Sequence, residues 1–226
     1  PSIYKLEASI EELKDIDICW FGFNTFIQEK YILSKINKQM EFYMDSCREN
    51  IPMTIQEIFK FLSRKKPNMF ISSYYRDTFE LLTNGYDFVG AYLLRDYYQK
   101  LLFFSITPTV EVPTLEYPLH FAGGNSLKMV INIAIISGSP KIVLFGADGG
   151  FSSSSLYYRQ DSYNGDVPPS YKVLQDTVQD FNPHMPISVK NVCNTYDLPV
   201  PQILNVSLNS LYTPFPKYDY KTAFRF

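Results

Sequence analysis

From Gly123 to Asp148 the chain reads GGNSLKMVINIAIISGSPKIVLFGAD. The run NSLKMVINIAIISG is too long for an ordinary strand and apolar almost all round, so it predicts a buried helix that Gly138 closes near its C-terminus. KIVLFGAD follows without polar alternation and predicts a strand with no solvated face. A buried strand fed by an apolar helix is the unit of a parallel sheet with crossover helices, and few other architectures accommodate it.

The rest of the chain fits that unit. DIDICWFGFN (Asp15–Asn24) and MEFYMDS (Met40–Ser46) read as strands, as does NMFISS (Asn68–Ser73). TFIQEKYILSKI and TIQEIFKFLSRKK have apolar residues at helical spacing, the second with Thr54 as N-cap. Between Tyr74 and Pro118 the pattern weakens: YDFVGAYLLRDYYQKLLFFSI suits either a strand and a helix or two strands. The polar stretch from Gly149 to about Pro169 predicts a mobile loop or lid, extended in the widest reading to residue 186. Two short helices are expected over about Tyr171–Phe181 and Ile187–Tyr196, then a last strand, QILNVS. The fold class expected is α/β: a Rossmann-like, mostly parallel central sheet flanked by helices, with a lid insertion, in one domain over 1–226.

Composition narrows the function. Lys plus Arg number 21 against 23 Asp plus Glu, and no basic block stands out beyond SRKKP, so nucleic acid is not an expected partner. Three cysteines without CxxC spacing and two histidines make a structural zinc site hard to assemble and fit a reducing cytoplasm. MVINIAIISG, the longest apolar run, is far short of a membrane span.

In open parallel sheets ligands bind beyond the carboxyl ends of the strands. Polar residues recur at the expected strand ends here: Asn24, Asp45, Ser72, Asp148, Ser207 and Asn209. Each alone is also an ordinary loop or cap residue. In GGNS, Gly123 and Gly124 let the backbone turn tightly and approach a ligand, while Asn125 and Ser126 open the apolar helix, whose unpaired N–H groups and positive dipole end favour a phosphate or carboxylate. In GADGG, Asp148 could accept from ribose hydroxyls or hold a cation, with Gly146 and Gly149 allowing close approach.

The series resembles the bacterial sialyltransferases that build lipooligosaccharide and their wider relatives, the motility-associated-factor glycosyltransferases and the hydroxymethylpterin pyrophosphokinase-like proteins. CWFGFNTFIQEKYIL is similar to the family's strand ending in Asn and the helix that follows. NSLKMVINIAIISGSPKIVLFGAD is similar to its helix, Gly and Gly-x-Asp strand, and NVSLNS to its closing strand and Asn-Ser turn. PSIYKL resembles the continuation of a Gly-Pro-Ser turn, which implies a strand before Pro1. The resemblance implies a nucleotide-linked donor, cytidine monophosphate in the sialyltransferases. It places Ser2, Asn24, Ser126, Asn209 and Ser210 at the nucleotide or its phosphate, and Tyr157 and Tyr158 as lid tyrosines that donate to the leaving phosphate. Asp45, where the sialyltransferases carry Asn, suits the other relatives better.

The expected activity is therefore transfer of a nonulosonic, sialic-type acid from a CMP-linked donor to a glycan or glycoprotein hydroxyl, with no cofactor required. Of the two histidines, His184 is the expected general base, and His120 is expected to pack against or orient the glycine turn. Two other readings stay open: an ATP- and magnesium-dependent pyrophosphokinase-like phosphotransferase with Asp45 and Asp148 as metal ligands, and a non-catalytic nucleotide-sugar-binding domain. A cytoplasmic homo-oligomer with peripheral association at the inner face of the membrane goes with the leading expectation.

Overall fold

The computed structural model of the chain describes residues 2–13, 16–23, 30–36, 42–45, 69–72, 101–106, 112, 119–121, 126–147 and 171–224. Helices and strands are mixed. Helix α1 (Ser2–Ser9) runs into a 3-10 turn (Ile10–Leu13) and precedes strand β1 (Phe21–Phe23) and helix α2 (Lys30–Lys35). Strands β2 (Phe42–Asp45), β3 (Met69–Ser72), β4 (Leu101–Ile106) and β5 (Leu119–Phe121) follow. Then come helix α3 (Ser126–Ile136), strand β6 (Lys141–Leu144), helix α4 (Tyr171–Thr195), strand β7 (Gln202–Asn205) and the short helix α5 (Tyr220–Ala223).

The strands form two parallel sheets, one in the order β1-β2-β3-β4-β5 and one of β6 and β7. The expected strands at 15–24, 40–46 and 68–73 are observed with shorter cores, and the ambiguous segment before Pro108 holds a strand at Leu101–Ile106. The helix expected over TIQEIFKFLSRKK lies outside the described residues.

The helix read from NSLKMVINIAIISG takes the expected form, whereas the following strand, expected to have no solvated face, is fully buried only at Leu144, with Lys141, Ile142 and Val143 half-buried. Leu127, Met129, Val130, Ile131, Ile133, Ala134 and Ile135 of α3 are all buried. Gly138, at φ 80°, ends the helix in a left-handed residue, with Gly138 N–H donating to Ile135 O at 2.8 Å and Ser139 N–H to Ala134 O at 3.1 Å. Those paired bonds satisfy carbonyls the helix end would otherwise strand, and a glycine takes that conformation without steric penalty.

The principal difference from expectation is α4. Pro183 and Pro186 argue for a break near them, since each lacks an N–H and crowds the preceding turn. Yet one 25-residue helix runs through both. Phe181, Met185, Val189, Val192 and Cys193 recur along one face and are buried against Leu127, Ile131 and Ile135 of α3, Leu144 of β6 and Ile203 of β7. Burying several large side chains at about 1.5–3 kcal/mol each outweighs two local backbone defects of about 3 kcal/mol. Residues 171–186 of the expected lid therefore belong to this helix, and residues 149–170 lie outside the described residues. Phe23 of β1 packs against the same core, joining the first sheet to the second.

At the amino end of the chain, Leu6, Ile10 and Leu13 are buried. Lys35 pairs with Glu11 at 2.5 Å, and the Tyr220 hydroxyl donates to Glu12 at 3.0 Å, tying α5 back to the first turns of the chain.

Candidate functional site

Topology brings the beginning of α3 and the middle of α4 to one end of the β6–β7 pair. Lys141 registers with Gln202, and Gln202 N–H donates to Pro140 O at 3.0 Å. The connections from α3 into β6 and from α4 into β7 are short, so both helices finish at the amino end of the pair and run in the same direction. The 11 residues of α3 carry Ser126 roughly 15 Å back from that end. The stretch of α4 from Thr195 back to His184 covers roughly 16 Å, which brings His184 to about the same level. A buried contact fixes the register independently: Asn132 Nδ2 donates to Ser188 Oγ at 3.1 Å. One turn toward the beginning of each helix from this pair stand Lys128 and His184.

The carboxyl ends of β6 and β7 are braced by a buried polar network. Asn205 Nδ2 donates to Ala147 O at 3.2 Å, and Ser207 N–H donates to Asn205 Oδ1 at 2.9 Å. Ser210 Oγ donates to the same Ala147 carbonyl at 2.5 Å and accepts from Tyr212 N–H at 3.0 Å. Lys217 Nζ donates to Ser210 O at 2.6 Å. Asn205, Ser207 and Ser210 are all buried. An unpaired buried polar group costs about 1–3 kcal/mol, so a network this well connected holds the loops after both strands in one arrangement. It fixes Ala147, the residue before Asp148.

The expected site residues divide accordingly. Gly146, Ser207, Asn209 and Ser210 come together at the carboxyl end of the β6–β7 pair, with Ser126 and His184 at that level on the two helices. Gly146 has φ 71° in the exposed turn after β6, a conformation open to glycine and strained for other residues. The Ser210 hydroxyl donates its proton to Ala147 O, so this side chain braces the loop. Asn209 is exposed in the turn beside it. Asp45 ends β2 in register with Ser72 at the end of β3, so one acid and one hydroxyl residue stand side by side at the carboxyl end of these strands. Ser2 opens α1, and His120 sits in β5 in register with Ser105. Asn24, Gly124, Asn125, Asp148, Tyr157 and Tyr158 lie outside the described residues.

His184 is not in a loop before a helix, as expected, but on the exposed side of α4. Its Nδ1 lies 2.7 Å from Asp180 O and 3.1 Å from Asp180 Oδ1. Sequence reasoning missed Asp180, and it missed Asn205 and Asn132 as structural organisers. The signal for the last two was present: each is the one amide in an otherwise apolar run, ILNV and VINIA.

Tyr212 closes the core beneath the network, its ring 4.5 Å from that of Phe181. Burial pushes its hydroxyl up to about 12. An unfolded tyrosine titrates near 10, so the fold favours the neutral form; that stability is fully present below about pH 10 and is lost as the pH rises toward 12. The loss should reach on the order of 2 kcal/mol. Urea unfolding at pH 9 and pH 11.5 should show a smaller decline for Tyr212→Phe than for the parent chain, and equal declines would contradict the assignment.

Compared with known proteins, the chain matches no family model, no curated protein and no solved structure. Among the described residues, no helix is long and apolar enough to cross a membrane, and no three His, Cys, Asp or Glu side chains are grouped to hold a metal ion. The class defined by the described residues is a mixed helix and strand protein with parallel sheets.

Proposed function

We propose that the chain is a Rossmann-like glycosyltransferase that moves a sialic-type acid from a CMP-linked donor to a glycan or protein hydroxyl. The observation that carries the reading is the convergence of the α3 N-terminus, the Gly146 turn and the 207–210 turn at the carboxyl end of β6 and β7, with a histidine level with them on α4. That end of a parallel sheet is where such folds bind nucleotides. Ser126 opens a helix whose first N–H groups and dipole favour the donor phosphate. In the reaction the acceptor hydroxyl oxygen forms a bond to the anomeric carbon, the bond from that carbon to the phosphate oxygen breaks, and CMP leaves with the electron pair. His184 takes the hydroxyl proton. Tyr157 and Tyr158 would donate to the departing phosphate, whose charge is best stabilised by donors already in place.

The test is release of CMP from CMP-N-acetylneuraminate by the full chain in buffer containing a metal chelator. The expected result is enzyme-dependent CMP formation that chelator does not abolish. Absence of CMP release from this and other CMP-linked donors, together with magnesium-dependent turnover of ATP, would move the reading to the phosphotransferase.

A further inference from the structure

We infer that Asp180 is the positioning residue of His184, holding the imidazole proton on Nδ1 so that Nε2 is the basic nitrogen of the ring. The chemical consequence of the inference rests on the transferase reading; the geometry does not. His184 Nδ1 lies 2.7 Å from the main-chain oxygen of Asp180, and a carbonyl oxygen can only accept, so this contact favours the neutral ring with its proton on Nδ1. The Asp180 carboxylate, 3.1 Å from the same nitrogen, is a second acceptor on that side of the ring and reinforces the tautomer. Both partners are held on a rigid element. Asp180 precedes Phe181 and His184 precedes Met185, which are 2% and 0% exposed, so the backbone under the pair is anchored by the core.

The two side chains are 57% and 53% exposed, and an ion pair this open contributes little to folding. Stability therefore does not explain the arrangement as well as orientation does. The pair thus joins a favoured tautomer and a carboxylate on one exposed face of α4. In the transfer step the acceptor's oxygen bonds to the anomeric carbon, its proton goes to Nε2, and CMP departs with the electrons of the broken bond.

Two measurements on the full chain test this. Two-bond hydrogen–nitrogen correlation spectra at a pH where His184 is neutral should show the Nδ1–H form. Asp180→Leu, which removes the carboxylate but keeps the main-chain oxygen, should lower the Nδ1–H share toward what that carbonyl alone maintains, and Asp180→Asn, which keeps a side-chain acceptor oxygen, should retain the parent share. In parallel, Asp180→Leu should lower turnover of CMP-N-acetylneuraminate about tenfold with its KM unchanged, and Asp180→Asn should stay within about threefold of the parent. An Nε2–H ring in the parent chain, or an unchanged tautomer in Asp180→Leu, would overturn the positioning role. If the parent releases no CMP, the transferase reading falls, and the spectra alone then decide the role of Asp180.

Discussion

Replacing His184 with alanine is expected to lower turnover of the CMP-linked donor by about 10²–10⁴-fold while leaving donor binding nearly unchanged. The size follows from the step it serves: the proton leaves the acceptor only as the new bond forms, so the base acts in the transition state and not in donor recognition. The fold should survive, since the side chain is more than half exposed and alanine is the better helix former. Steady-state kinetics with donor and acceptor varied separately provide the check. His120→Ala is the control. From β5, just before the glycine turn, it should raise the donor's dissociation constant more than it lowers turnover. The reverse pattern would assign the base to His120, and full activity in both variants would end histidine catalysis as an account of this protein.

Phe181→Ala is expected to destabilise the fold by about 3–5 kcal/mol in urea unfolding. Phe181 is 2% exposed, and its ring lies 4.5 Å from that of Tyr212 and 6.3 Å from that of Phe215. It also contacts the core shared by α3, β6 and β7, so truncation opens a cavity walled by several elements that cannot all collapse into it. Two turns of α4 depend on this anchor, because Pro183 and Pro186 leave the helix short of two backbone bonds nearby. Phe181→Leu, which keeps most of the volume, should lose far less. A loss below 1 kcal/mol for Phe181→Ala would mean that the helix through 183–186 is held by something other than this packing.

The contrast between α3 and α4 shows what could be read from the residues. In α3 every signal agreed: an unbroken apolar run, Ser126 at its start and Gly138 after its end, and the helix lies where they place it. In α4 local and tertiary signals opposed each other. The prolines spoke for a break, and the i, i+4 recurrence of Phe181, Met185 and Val189 spoke for one face; burial decided in favour of the face. The error carried into the site, because a break would have put His184 in a loop. Strand ends were legible where a polar residue followed an apolar run, as at Asp45 and Ser72, which indeed register side by side. The bracing role of Asn205 and the orienting role of Asp180 were not, since neither spacing nor composition reveals which carbonyl a side chain will reach. Ser207 and Ser210 stand out in the sequence as polar residues after a strand, but that the Ser210 hydroxyl reaches a backbone oxygen and the Ser207 N–H reaches Asn205 Oδ1 is visible only in the fold.

Calorimetric titration of CMP into the parent chain and into Ser126→Asp tests the central claim most directly. A carboxylate at the first residue of α3 puts fixed negative charge where the helix dipole and its first N–H groups are proposed to meet the donor phosphate. An acid in the first turn is otherwise compatible with a helix, so folding should be retained. Saturable CMP binding by the parent chain and a loss of about 1–3 kcal/mol in Ser126→Asp are the expected results. Equal affinity in the two chains, or no CMP binding by the parent, would contradict it.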